Sequence, residues 1–144
     1  MSILVLGVFM EDMTEEEYFI GSDAIISQTD KKGIITYANR AFGEVSGYKT
    51  TELVGNPHSI IRHKDMPSAV FMKMWETISG GQAWNGIVKN RRSDGRFYWV
   101  DTEILPIKDE DDRITGYIAV RKEASRKDIN ETQETYRKML ETQE

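Results

Sequence analysis

Both histidines of the chain fall in one short polar stretch, His58-Ser59-Ile60-Ile61-Arg62-His63-Lys64-Asp65-Met66-Pro67. Arg62 offers a planar fork of donors that suits a phosphate or a carboxylate. His63 and Asp65 carry groups that can bond a sugar hydroxyl or a ring nitrogen. The plainer alternative makes Asp65 the cap of a helix starting near Pro67 and leaves Arg62, His63 and Lys64 as a solvated loop. Zinc held by His58, His63 and Asp65 is a weaker alternative, because the spacing fits no helical zinc motif and no thiol is present. Haem ligation by His58 or His63 stands beside it. A second cluster lies on a strand. Side chains alternate across a strand, so Trp84, Gly86, Val88 and Asn90 share one face. A flat aromatic, a gap, an aliphatic and an amide would line a slot for a planar ring, and an amide that both donates and accepts suits the imide edge of a flavin. Without a ligand, Trp84 is ordinary core and Asn90 merely ends a strand. Trp75 reads as helix core, and Trp99 as core or as a partner-facing aromatic.

The rest of the chain excludes a good deal. Its 144 residues include no cysteine, which rules out disulfides, thiolate metal sites, cysteine nucleophiles and flavin photochemistry through a cysteinyl adduct. A chain without disulfides suits the cytoplasm. Lys and Arg number 19 against 24 Asp and Glu, a net charge of -5, which argues against non-specific nucleic-acid binding. The patch from Lys89 to Arg92 is the one weak exception. The apolar run Ile3 to Met10 is far shorter than the ~20 residues of a membrane helix. It also lacks a basic leader and a cleavage site, so neither a membrane span nor a secretory signal is expected. No Gly-x-Gly-x-x-Gly loop, nucleophile elbow or His-Glu-x-x-His helix occurs. The acidic runs at Glu15 to Glu17 and Asp109 to Asp112 have no apolar setting to shift a pKa. The expectation is a binding module and not an enzyme.

A composition of 39% hydrophobic and 30% charged residues fits one globular domain with one core. Three parts are expected: an extension over 1–22, a compact domain over 23–123 and a connector helix over 124–144. Thr14 followed by Glu17 has capping-box spacing, which predicts a short helix through Tyr18, Phe19 and Ile20, ended by Gly21. Ala24 to Thr29 and Ile34 to Tyr37 read as strands about the turn Asp30-Lys31-Lys32-Gly33. Ala41, Phe42 and Val45 then recur at helical spacing up to Gly47, and a second short helix covers Thr51 to Val54. Pro67 opens the best helix, with Val70, Phe71, Met74, Trp75 and Ile78 along one side and Gly80-Gly81 as its stop. Three strands follow, Ala83 to Arg91, Arg96 to Ile107 and Ile114 to Arg121, turned by Asp94-Gly95 and by Asp109 to Asp112. The order predicts an α+β domain, a five-stranded sheet with short helices on one face. From Ser125 the tail reads as an amphipathic helix, with Ile129, Tyr136, Met139 and Leu140 on one side. The domain core does not call for it, so a connector or dimerisation stem is expected.

Several of these residues match a known pattern. Thr36-Tyr37-Ala38-Asn39, Phe42, Val45-Ser46-Gly47-Tyr48 and Glu52-Leu53-Val54-Gly55 resemble the first half of a PAS domain. Pro57-His58, Arg62-His63, Asp65-Met66-Pro67, Trp75, Trp84-Asn85-Gly86-Ile87-Val88-Lys89-Asn90-Arg91-Arg92, Gly95 and Tyr98-Trp99-Val100 resemble, more specifically, the PAS domain of bacterial aerotaxis or energy-taxis receptors. The likeness spans Asp23 to Arg121 and implies a PAS fold with an N-terminal cap and non-covalent FAD. It implies that Arg62, His63 and Asp65 are needed for FAD binding, and that Asn39, Trp84 and Asn90 belong to the flavin pocket. His58, Trp75 and Tyr98 complete the expected cofactor-binding set. Lys64 stands where the pattern has proline. The implied role is a cytoplasmic redox or oxygen sensor, homodimeric and reporting to a chemotaxis receptor or signalling domain. No membrane anchor, relay domain or methyl-accepting domain is read in the sequence, so the expectation is a fragment or a stand-alone protein working with a separate receptor. A cofactor-free docking module and a sensor of haem or a small metabolite are the rival readings.

Overall fold

The computed structural model describes residues 15–142; Thr14 and the run Ile3 to Met10 lie outside them. Five strands form one antiparallel sheet: β1 (Ile25–Asp30), β2 (Ile35–Ala38), β3 (Trp84–Arg91), β4 (Phe97–Lys108) and β5 (Ile114–Glu123), in the order β2-β1-β5-β4-β3. The first strand therefore lies beside the last. Between β2 and β3 the chain makes α1 (Arg40–Ser46), α2 (Thr50–Leu53), a 3-10 turn (His58–Ile61) and α3 (Ser68–Ser79). These short helices cover one face of the sheet, as the sequence order predicts.

Local chemistry sets these boundaries. Asn39 caps α1, its Oδ1 accepting from Phe42 N at 3.0 Å and from Ile26 N at 3.1 Å. Gly47 ends that helix in the left-handed region at φ 78, where a residue with a Cβ is strained. The core between helices and sheet holds Ile25, Ile35, Phe42, Leu53, Ile61, Val88, Tyr98 and Val100.

Two expectations change. The segment after residue 14 is extended and not helical: Phe97 N donates to Glu16 O at 2.9 Å and Tyr18 N to Phe97 O at 2.7 Å. Its side chains are held by distant partners. Glu17 forms a two-armed pair with Arg126, and the Tyr18 ring lies 4.0 Å beneath the Arg92 guanidinium. These contacts outweigh a local capping preference. The tail helix, α4 (Arg126–Thr142), is also part of the domain's packing. Ile129 is buried against Trp99 and Ala124, and Tyr136 donates its hydroxyl proton to Ile87 O at 2.6 Å. By strand parity Ile87 and Trp99 point away from the short helices, so α4 covers the sheet's other face. Ile129→Ala is expected to lower unfolding free energy by about 2–4 kcal/mol, read as a lower urea midpoint. An unchanged midpoint would mean that α4 is not docked in solution.

Candidate cofactor cavity

The inner face of the sheet is a ladder of cross-strand pairs. Trp84 sits opposite Ile104, Gly86 opposite Thr102 and Asn90 opposite Tyr98, while Thr102 meets Arg121 and Ile104 meets Ala119 on β5. Between this ladder, the 3-10 turn and α3 lies a cavity of about 280 Å³, close to the lower end of small-molecule sites. Trp84, Val88, Asn90, Thr102 and Arg121 line its sheet side; His58, Arg62, Phe71 and Trp75 line its helical side. Trp84 and Asn90 thus reach one wall, as alternation along β3 requires.

The gap at Gly86 is filled differently from the expectation. A Cβ there would stand 2.4 Å from the Trp84 ring, so the indole bends along its own strand and covers the glycine. Gly86→Ala is expected to push the ring off its seat, cost about 1–3 kcal/mol and change the tryptophan fluorescence. Unaltered emission and stability would contradict this packing.

Trp75 is not in the helix core. It stands at the rim, 36% exposed, edge-on to Tyr117 at 5.6 Å and close over Gly33. His58 is half-buried at the cavity wall and stacked on Phe42 at 5.7 Å. Burial, reinforced by the Arg121 charge, lowers its pKa to about 3, so the ring is neutral. Its Nε2 lies 2.5 Å from Arg121 Nη2 and 3.3 Å from Ser27 Oγ. Arginine only donates, so Nε2 accepts and the ring proton sits on Nδ1. Nε2 is therefore already committed, which weighs against haem ligation through it.

Arg62 and His63 go opposite ways. Arg62 forms an antiparallel bridge with Asn90, which turns Arg62 toward the cavity and its neighbour His63 toward the sheet's other side. The Arg62 guanidinium lies 4.2 Å over the Phe71 ring. His63 is 2% exposed and joins Glu15, Asp65 and Lys89. Asp65 N donates to His63 Nδ1 at 3.0 Å, so Nε2 carries the proton and donates to Glu15 at 2.5 Å. Lys89 Nζ lies 3.0 Å from Asp65 and 3.7 Å from Glu15. Burial and the Lys89 charge lower the His63 pKa, against the pull of Glu15 and Asp65. Burial opposes ionisation of Asp65, but its bond to Lys89 outweighs this and holds the carboxyl below its usual range. Glu15, His63 and Asp65 present ligand atoms within 4.8 Å of one another, yet the Lys89 ammonium already supplies a cation there. His58 is not among them, so the trio first considered for zinc does not converge.

Asn39 and Tyr98 do not line the cavity. The Asn39 amide is spent on the α1 cap and on Ala24 O. Tyr98 is completely buried, and burial pushes its pKa up to about 12. Its hydroxyl is beside Asn90 but makes no hydrogen bond of good geometry. Sequence reasoning missed Arg121, Thr102 and Ser27. The available signal was alternation along β5, where Tyr117, Ala119 and Arg121 share the inner face. A shallow groove adjoins the cavity; Ser59 and Arg62 border both, Lys64, Arg91 and Arg96 add positive charge to it, and Glu15 and Asp94, the latter paired with Arg96 at 2.8 Å, add negative charge.

This sheet order and the helical cover, with a partly open cavity between them, define a sensory-domain fold. The family model described as PAS fold matches residues 35–121, and the chain belongs to the PAS family. It is 43% identical over 113 residues to the aerotaxis receptor of Escherichia coli strain K12, covering 78% of this chain and 22% of that protein. It is 32% identical over 100 residues to the nitrogen fixation regulatory protein of Klebsiella pneumoniae, covering 69% of this chain and 20% of that protein. The chain thus spans about a fifth of these curated relatives' length. Among solved structures, a light-oxygen-voltage domain studied with a flavin analogue superposes with a TM-score of 0.65 at 18% identity, covering 97% of this chain and 96% of that one. An RNA-binding light-oxygen-voltage receptor gives 0.66 at 20% identity, over 99% of this chain and 38% of that one. These two likenesses speak for the fold. Among the described residues no helix is long and apolar enough to cross a membrane.

Proposed function

We propose that this PAS domain is an FAD-binding redox and oxygen sensor serving aerotaxis. The observation that carries the reading is convergence: Trp84, Asn90 and Arg62 border one cavity, and Arg62 also borders the cationic groove. A planar isoalloxazine suits the cavity, and a diphosphate suits the groove's guanidinium and ammonium groups. Together they favour a dinucleotide over a mononucleotide. The 43% identity to the aerotaxis receptor supports the physiological role.

Bound flavin would supply reversible electron exchange, taking electrons from reduced respiratory carriers and giving them up to oxidised carriers or to oxygen. The chain's own residues do the rest. Trp84 and Trp75 would wall the ring, Arg62 would hold the phosphate side, and neutral His58, backed by Phe42, would close the floor. Asn90 can donate or accept, so it can follow a change in the ring's bonding pattern. His63 and Asp65 brace the Arg62 loop from behind, while Asn39 and Tyr98 support the wall from within the core. Strand β3 carries Asn90 inward and Lys89 outward, which gives a change at the amide a direct route to the N-terminal segment and α4. The output partner is a chemotaxis receptor or signalling domain, and the module works in the cytoplasm as a homodimer.

Equilibrium dialysis of ligand-free protein against FAD, FMN and riboflavin tests this reading. FAD should bind at least tenfold more tightly than riboflavin, with Arg62→Ala removing most of that preference. Equal retention of all three would leave the groove without a role. Binding of none would favour a cofactor-free docking module.

A further inference from the structure

Strand register gives the cavity two ends. At one, Asn90 pairs with Tyr98 and is bridged by Arg62, where the groove begins. At the other, Tyr117 pairs with Thr29 and Pro106, beyond the row that holds Ala119, Ile104 and Trp84. Trp75 reaches across this second end from α3. Its indole stands edge-on to Tyr117, with ring centres 5.6 Å apart. A Cβ on Gly33 would lie 3.1 Å from the indole Cζ2, so the ring rests where that glycine has no side chain. Gly33 closes the turn between β1 and β2 at φ 86, a conformation that suits glycine. Trp75, Gly33 and Tyr117 all line the cavity, yet Trp75 keeps 36% of its surface exposed. One side chain therefore has the interior on one side and water on the other.

Such a ring has room to move. Exposed side chains change rotamer within picoseconds to nanoseconds, and Gly33 offers no Cβ to lock this one. Met74 and Ile78, its neighbours on α3, are buried in an inner apolar cluster, so the helix itself stays anchored. A dinucleotide with its phosphates in the groove by Arg62 extends its ring toward the Trp75 end. We propose that Trp75, seated on Gly33 and against Tyr117, is the gate that controls how fast dioxygen reaches the bound flavin. This rests on the flavin reading above and adds to it the entry point of the oxidant. In the gated step two electrons pass from reduced flavin to dioxygen. Dioxygen takes up two protons, from the flavin and from solvent, and leaves as hydrogen peroxide; the flavin returns to its oxidised form. Closing a site against small reactants is an established use of mobile side chains and lids.

FAD-loaded protein is reduced anaerobically with stoichiometric dithionite and mixed with air-saturated buffer, and the return of flavin absorbance is followed. Trp75→Ala should reoxidise about fivefold faster than the original protein, and Trp75→Phe within about twofold of it. Met72→Ala, on the same helix and 71% exposed, should keep the original rate. Equal or slower reoxidation by Trp75→Ala would overturn the inference and leave the flavin reading intact. So would equal acceleration by Ile78→Ala, which loosens α3 from the core without uncovering the rim. Acrylamide quenching of the ligand-free protein is a second readout. Trp75→Ala and Trp75→Phe keep the same two tryptophans, Trp84 in the cavity and Trp99 on the far face. Quenching should be stronger in the alanine variant, and equal quenching would overturn the inference. That comparison also decides the matter if Trp75→Ala does not retain FAD. If the unaltered protein takes up no FAD, the flavin reading fails and this inference with it.

Discussion

Trp84→Ala is expected to weaken FAD binding about 100-fold, equivalent to about 2.7 kcal/mol. An aromatic side chain presents about 150–250 Å² and gains about 0.5–1.5 kcal/mol from ring stacking beyond its area. Trp84 joins both inner apolar clusters, so truncation removes a cavity wall and also loosens its setting. Trp84→Phe retains a flat ring and should cost about tenfold. Ile129→Ala is the control, since Ile129 packs with Trp99 and Ala124 on the far face; it should lose stability and keep its affinity. Fluorescence titration with FAD separates the cases. Affinity of Trp84→Ala within threefold of the original would remove the indole from the site.

Acidification should destabilise the fold through His58. The native ring has its pKa lowered from 6.5 to about 3 by burial and by Arg121. Below pH 6.5 the unfolded chain takes up a proton that the folded chain refuses, so the stabilisation present above this value is lost as pH falls toward the native value. The complete loss is on the order of 5 kcal/mol, with about 2 kcal/mol of it gone by about pH 5. His63, whose pKa is also lowered, adds loss of the same sign. Urea midpoints between neutral pH and about pH 5 measure the effect before most carboxylates titrate. His58→Gln should flatten this dependence. The same slope in the variant would show that the ring is not held neutral by its surroundings.

The sheet was legible because its signals are local. Alternation along β3 put Trp84 and Asn90 on one face, and Asp94-Gly95 marked the hairpin between β3 and β4. Most of the misreadings involve partners far apart in sequence. Thr14 and Glu17 have helix-capping spacing, but Glu17 is bound to Arg126, which no local window contains. Arg62 and His63 are adjacent, yet the bridge from Arg62 to Asn90 separates them onto opposite sides of the sheet. Arg121 sits near the end of β5, where a charged residue reads as solvent-facing; only its parity with Tyr117 and Ala119 marks it as internal. The stripe on α4 was visible, but the surface it covers depends on Trp99 and Ile87 from two other strands. Gly86 reads as open space until the Trp84 ring is placed across it.

The absorbance spectrum of the protein as purified, repeated after incubation with FAD and removal of the excess, is the most direct measurement. Retained oxidised flavin, released on denaturation as FAD in a ratio near one per chain, is the predicted result. A colourless protein that keeps no flavin after incubation, while still melting cooperatively, would contradict the account.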